Sequence, residues 1–198
     1  MASISTIETI SRLKELNLKV ITVASLSKVL NIENQNTIYK IIERFEKYKL
    51  IQRLVKGKYI LADSNISDFE KANFILSPSY ISFESALTYY GILPQFTYSI
   101  TSATTQKSRR FEIDGKEYEY TKIQNILYSD FVKKENFLIA TPEKAFIDLI
   151  YLASKGLRKI EFSDLDLSLI NWKVFEKLKT EIDYKPFQNY IKLNKVQK

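Results

Sequence analysis

Apolar positions recur every three or four residues through the first fifty positions and then give way to short alternating runs, and that change of period organises the chain. In "STIETISRLKEL" the spacing predicts a helix with Ile7, Ile10, Leu13 and Leu16 on one face and Ser5 or Thr6 as its N-cap. "TVASLSKVLNI" predicts a second helix, capped by Thr22, with Leu26, Val29 and Leu30 inward and Asn31 as its stop. "NQNTIYKIIERFEKYKLI" predicts a third. Its core face is Ile38, Ile41, Ile42 and Phe45, at i, i+3, i+4 and i+7, and Asn36, Lys40, Arg44 and Lys47 occupy the other side. "IQRLVKGKYIL" then predicts two short strands about a Lys56-Gly57 turn. Three short helices followed by a basic hairpin match the winged variant of the helix-turn-helix.

The polar stretch "ADSNISDFEKANF" predicts a linker over 63–76, either flexible or a short helix. Beyond it, a helix is expected from Ser82 to about Tyr90, stopped by Gly91, and an alternating strand with Phe96, Tyr98 and Ile100 on one face. A hairpin turns at Asp114-Gly115. Thr141 and Pro142 open a helix that is apolar on most sides through Ala145, Ile147, Leu149, Ile150 and Leu152, and is therefore buried. "DLSLINWKVFEKLKTEI" predicts a last amphipathic helix. The fold class is α+β, with an N-terminal winged helix-turn-helix over 1–62 followed by a smaller mixed α+β domain over 77–198.

Composition narrows the chemistry. The 198 residues include no cysteine and no histidine, so there is no thiolate site, and the commonest general base and metal ligand is missing. No metal, cofactor or enzymatic activity is expected. No apolar run approaches the ~20 residues that span a bilayer, and the N-terminus lacks a signal-peptide core. A cytoplasmic protein with no membrane partner follows. The net charge is +7, mostly from 24 lysines, a bias that an AT-rich genome produces without functional demand. Its distribution says more. Residues 1–62 carry 11 basic against 5 acidic side chains, and the remainder 19 against 18.

That excess lies where a recognition helix would lie. Asn34 as an N-cap explains one polar residue and leaves Gln35, Asn36 and Thr37 unexplained. Asn and Gln suit adenine edges, and Thr can meet a thymine methyl. Lys40, Arg44 and Lys47 continue toward phosphates, joined by Arg53, Lys56 and Lys58 of the hairpin. The plainer account is a solvated helix face, and winged helices also serve as protein-interaction modules. Double-stranded DNA is the expected partner. A second basic group, Lys107, Arg109 and Arg110 in "TTQKSRRF", could touch phosphate, although a solvated loop accounts for it as well. Glu112, Asp114, Glu117 and Glu119 with Lys122 do not form a well-spaced metal-nuclease set, since turn and strand positions account for them.

"SPSYISFESALTYYGILPQ", "TSATTQKSRRFEIDGKEYEY" and "ATPEKAFIDLIYL", in that order and behind a winged helix, resemble the C-terminal domain of AbiE-type antitoxins, regulators of abortive-infection, type IV toxin–antitoxin systems. The likeness runs from about residue 4 to residue 155. It implies a repressor of its own toxin operon that also counters a nucleotidyltransferase toxin, without a stable complex between the two. Many relatives continue further past the block at 141–152, so the C-terminal domain here is expected to be a reduced one. The alternatives are a stand-alone winged-helix regulator of a defence or mobile-element locus, and a metal-dependent nucleic-acid enzyme using the C-terminal carboxylates. Self-association on the operator is left open.

Overall fold

A computed structural model describes residues 6–95 and 98–196, so the expected cap at Ser5 and strand position Phe96 fall outside the described residues. The chain is mixed α+β and divides into two compact units, Met1–Ile75 and Leu76–Lys198. The second unit, expected to be the smaller, is the larger of the two.

The first unit runs α1 (Thr6–Glu15), β1 (Val20–Thr22), α2 (Val23–Leu30), α3 (Gln35–Lys47), β2 (Ile51–Val55), β3 (Lys58–Leu61) and α4 (Asp68–Ile75). Its three strands are antiparallel in the order β1-β3-β2, with Val20 opposite Ile60 and Ile51 opposite Leu61. Local signals set most of these bounds. Thr22 accepts from the Ser25 amide at 3.0 Å while Ser25 Oγ takes the Thr22 amide at 2.8 Å, a reciprocal cap. Asn31 ends α2 in the left-handed region, at φ 53°. Gly57 turns the hairpin at φ 78°, where a side chain would be strained.

The core joins Leu13, Ile21, Leu26, Leu30, Ile38, Ile41, Ile42, Phe45, Ile51, Tyr59 and Leu61. The first helix departs from expectation. Thr9 and Leu13 are its buried residues, whereas Ile7 is 77% and Leu16 52% exposed. Leu16 falls beyond the helix end, and Thr9 lies one turn from Leu13, so the inward stripe is rotated toward 9 and 13.

The expected linker is largely structure of the first unit. Asp68–Ile75 forms α4, which packs on β2 and buries Ala72 and Ile75, and Ile66 is buried just ahead of it. Ser67 and Glu70 close a capping box, with the Ser67 amide donating to Glu70 Oε2 at 2.8 Å and the Glu70 amide to Ser67 Oγ at 3.2 Å. The longer unit is also less charged than residues 1–62. Asp63, Asp68 and Glu70 against Lys71 lower its net charge from +6 to +4.

The second unit contains β4 (Ser79–Ile81), α5 (Phe83–Tyr89), β5 (Ser99–Thr104), β6 (Arg109–Ile113), β7 (Lys116–Lys122), β8 (Phe131–Lys134), β9 (Phe137–Ala140), α6 (Pro142–Ser154), α7 (Trp172–Thr180) and α8 (Lys185–Leu193). Six strands order as β6-β7-β5-β4-β9-β8, with β4/β9 and β5/β7 parallel and the other pairs antiparallel. Helix α6 is the hub. Glu143 to Ala153 are all buried, and α5, α7 and α8 pack against it, with Phe146 and Phe175 centroids 5.5 Å apart. Tyr98 precedes β5 and is exposed, while Ile100 to Thr104 are all buried, so β5 is covered on both faces and the expected alternation is not seen in it. The last expected helix is shorter than its pattern. Two 3-10 turns occupy 162–164 and 167–169, α7 begins at Trp172, and α8 is an additional element.

Candidate nucleic-acid interface

The side of α3 opposite its core face is exposed. Ile38, Ile41, Ile42 and Phe45 are buried, so the residues half a turn away point outward. They are Asn36, Lys40, Glu43 and Lys47, all exposed. Gln35, Thr37 and Tyr39 flank that row and are exposed too, Tyr39 by 51%.

The sequence-predicted residues divide by what their polar atoms already do. Asn34 is the N-cap, and its Oδ1 accepts from the Asn36 amide at 2.9 Å and the Thr37 amide at 3.4 Å. That oxygen is committed to capping the helix. Gln35, Asn36 and Thr37 project from the first turn, whose backbone the cap holds. Lys40 and Lys47 extend from the outer row and make no ion pair among the described residues. Arg44 is half-buried on the flank of that row rather than in it, and its buried Nε has no hydrogen-bond partner among the described residues.

The hairpin contributes unevenly. Lys56 stands exposed beside Gly57 at the tip. Arg53 is exposed on β2 opposite Tyr59. Tyr59 titrates above its ordinary range chiefly because it is buried, and then because of the Glu46 charge, which Arg53 partly offsets. Lys58 is already engaged within the unit. Its ammonium donates to the carbonyls of Phe74 at 2.7 Å and Ile75 at 3.2 Å, the last turn of α4, and lies 5.3 Å from the Phe74 ring centroid. Partial burial lowers its pKa. This lysine thus serves the C-terminal end of α4.

The second basic group is also less free than its sequence suggests. Arg110 Nε pairs with Glu117 at 2.6 Å and its Nη2 with Glu119 at 3.5 Å, across the β6/β7 ladder. Glu119 also binds Arg158, which reaches Glu84 at 3.3 Å. Lys107 and Arg109 are exposed. Two of the candidate carboxylates, Glu117 and Glu119, are thus engaged by arginines. No group of three or more metal-ligating side chains is found among the described residues.

Sequence reading passed over Tyr39 and Glu43, although the same 3.6-residue arithmetic that selects Asn36, Lys40 and Lys47 places both on or beside that row. It also passed over the buried knot in the second unit. Asp148 accepts from Tyr80 Oη at 2.9 Å, from Ser82 Oγ at 2.7 Å and from the Lys144 ammonium, with the side chains of Asp148 and Lys144 0% and 3% exposed. Tyr80 and Ser82 belong to "SPSYIS", and Lys144 and Asp148 to "ATPEKAFID". These two sequence blocks thus meet in one structural contact.

No protein-family model matches the chain, and no curated protein matches it. No helix among the described residues is long and apolar enough to cross a membrane.

Proposed function

We propose that the first unit is a winged helix-turn-helix that binds double-stranded DNA, and that the chain represses its own operon. The element order α1-β1-α2-α3-β2-β3, with β3 between β1 and β2, supports that architecture, in which α2 braces α3 and the β2/β3 hairpin is the wing. The observation that carries the reading is the outer row of α3. A capped first turn presents Gln35, Asn36 and Thr37, and unpaired Lys40 and Lys47 follow, with Lys56 at the tip of the adjoining hairpin. Base-reading groups at a helix N-terminus and phosphate-reading groups beyond it are what a major-groove helix requires.

The antitoxin part of the proposal rests on the resemblance of the second unit's blocks to AbiE-type antitoxins. On that reading the functional partner is a nucleotidyltransferase toxin, no stable complex is needed, and the chain works in the cytoplasm without catalysis of its own.

Fluorescence anisotropy with the full chain tests the DNA reading, using the duplex upstream of its own gene and a scrambled duplex at two salt concentrations. The upstream duplex should bind at least ~10³-fold tighter, and both affinities should fall as salt rises. Equal affinity for the two would sink the repressor reading. Co-expression with an adjacent nucleotidyltransferase gene tests the antitoxin reading, for which restored growth is the expected result.

A further inference from the structure

Helix α3 carries two acids, and they are placed differently. Glu46 is half-buried on the hairpin side, where its charge acts on Tyr59. Glu43 is exposed in the outward row between Lys40 and Lys47. Those lysines stand three residues before it and four after it, within reach of an intrahelical pair. Even so, Glu43 makes no ion pair among the described residues.

A carboxylate in the middle of a DNA-facing row is costly unless something in the groove donates to it, because phosphates on either side repel it. Major-groove base edges offer two donors, the adenine N6 and cytosine N4 amino groups. Adenine presents its donor beside the N7 acceptor, which suits an amide, whereas the lone donor of cytosine suits an acceptor-only carboxylate. Asn36, an amide, and Glu43, a carboxylate, lie in the same row seven residues apart. At 1.5 Å per residue that separation is about 10 Å, or about three base steps of 3.4 Å.

We infer that Glu43 is a specificity-determining residue of this interface, accepting from the N4 amino group of a cytosine about three base pairs from the adenine read by Asn36. The inference rests on the DNA-binding reading above and adds to it a base identity and a spacing. Lys40 and Lys47 flank the carboxylate and offset its repulsion from the backbone.

The test selects a randomised duplex library on the full-length wild-type chain, Glu43→Gln, Glu43→Ala and Asn36→Ala, with thermal melting to verify that each is folded. Wild type should enrich a site containing a C·G pair about three positions from the one that relaxes in Asn36→Ala. Glu43→Ala should lose that preference by about tenfold while binding scrambled DNA no more weakly than wild type. Glu43→Gln should move the same position toward A·T, because glutamine matches adenine N6 and N7. An unchanged consensus in both Glu43 variants would overturn the inference and leave DNA binding standing. So would relaxation at a position that is not C·G. If wild type enriches no sequence and binds no DNA, the inference falls together with the reading beneath it.

Discussion

Ser82 Oγ donates to Asp148 Oδ2 across 2.7 Å, joining the residue after β4 to the middle of α6 from 66 positions away. Tyr80 Oη and the Lys144 ammonium occupy the rest of the carboxylate, so a fully buried charge is met on each side that the fold presents to it. Removing the acceptor leaves an ammonium and two hydroxyls unpaired in the interior. Asp148→Ala should therefore destabilise the second unit by about 3–5 kcal/mol in urea titrations. Lys144→Met with Asp148→Asn should cost less than Asp148→Asn alone, since the pair then leaves together. Equal or additive losses would mean that the two charges are not coupled.

The same knot gives the chain an alkaline limit. Burial, then the Asp148 charge, holds the Tyr80 phenol well above its ordinary value of 10.0, and burial raises Tyr120 as well. An acid whose folded pKa is raised contributes stability that is complete below the unfolded value and is lost as pH rises above it. Stability should thus decline beyond pH ~10, by up to about 1.4 kcal/mol per pH unit for each such tyrosine. The slope for Tyr80→Phe, measured by denaturant titration between pH 9 and 11, should be shallower than that of the parent.

Lys56 and Lys58 stand two residues apart and should fail in opposite ways. Lys56→Ala should leave the melting curve unchanged and lower the salt dependence of DNA binding by about one unit of slope. Lys58→Ala removes two donors from the end of α4 and should cost about 1–2 kcal/mol of stability without changing that slope. A changed slope for Lys58→Ala would return this lysine to the interface.

In the first turn of α3, Asn34→Ala should lower stability by about 0.5–2 kcal/mol through loss of the cap. Asn36→Ala should leave stability intact and bring operator affinity toward the scrambled value, at ~1–3 kcal/mol for the lost base contact. If operator and scrambled binding fall together for Asn36→Ala, its side chain serves the backbone.

The boundary of the first unit can be checked with fragments. Residues 1–75 should melt cooperatively, whereas residues 1–62 should melt lower and less sharply, having lost α4, the burial of Ile66, Ala72 and Ile75, and the acceptors of Lys58. Identical melts would show that α4 adds nothing to the unit.

What the sequence determined by itself is the set of elements whose signals are local. A cap, a stop and a 3.6-residue stripe are all decided within a dozen residues, and so α2, α3 and the Gly57 hairpin could be read directly, down to Thr22, Asn31 and Asn34. The box at Ser67 and Glu70 was equally legible, and it selects the helix over the flexible alternative for the segment that becomes α4. Tertiary structure decided whatever needed a distant partner. In α1 the apolar residues allow more than one inward stripe, and packing chose Thr9 and Leu13 over Ile7 and Leu16. Strands β4, β8 and β9 are three or four residues long, too short for a period to declare itself, and exist because neighbours pair with them. The fold gives Lys58 carbonyls 16 and 17 residues away as partners, and gives Arg110 the carboxylates of Glu117 and Glu119. A charged side chain has the same local appearance whether it is solvated, paired or waiting for a phosphate. Only the groups that the fold brings within about 3 Å of it settle which of these it is.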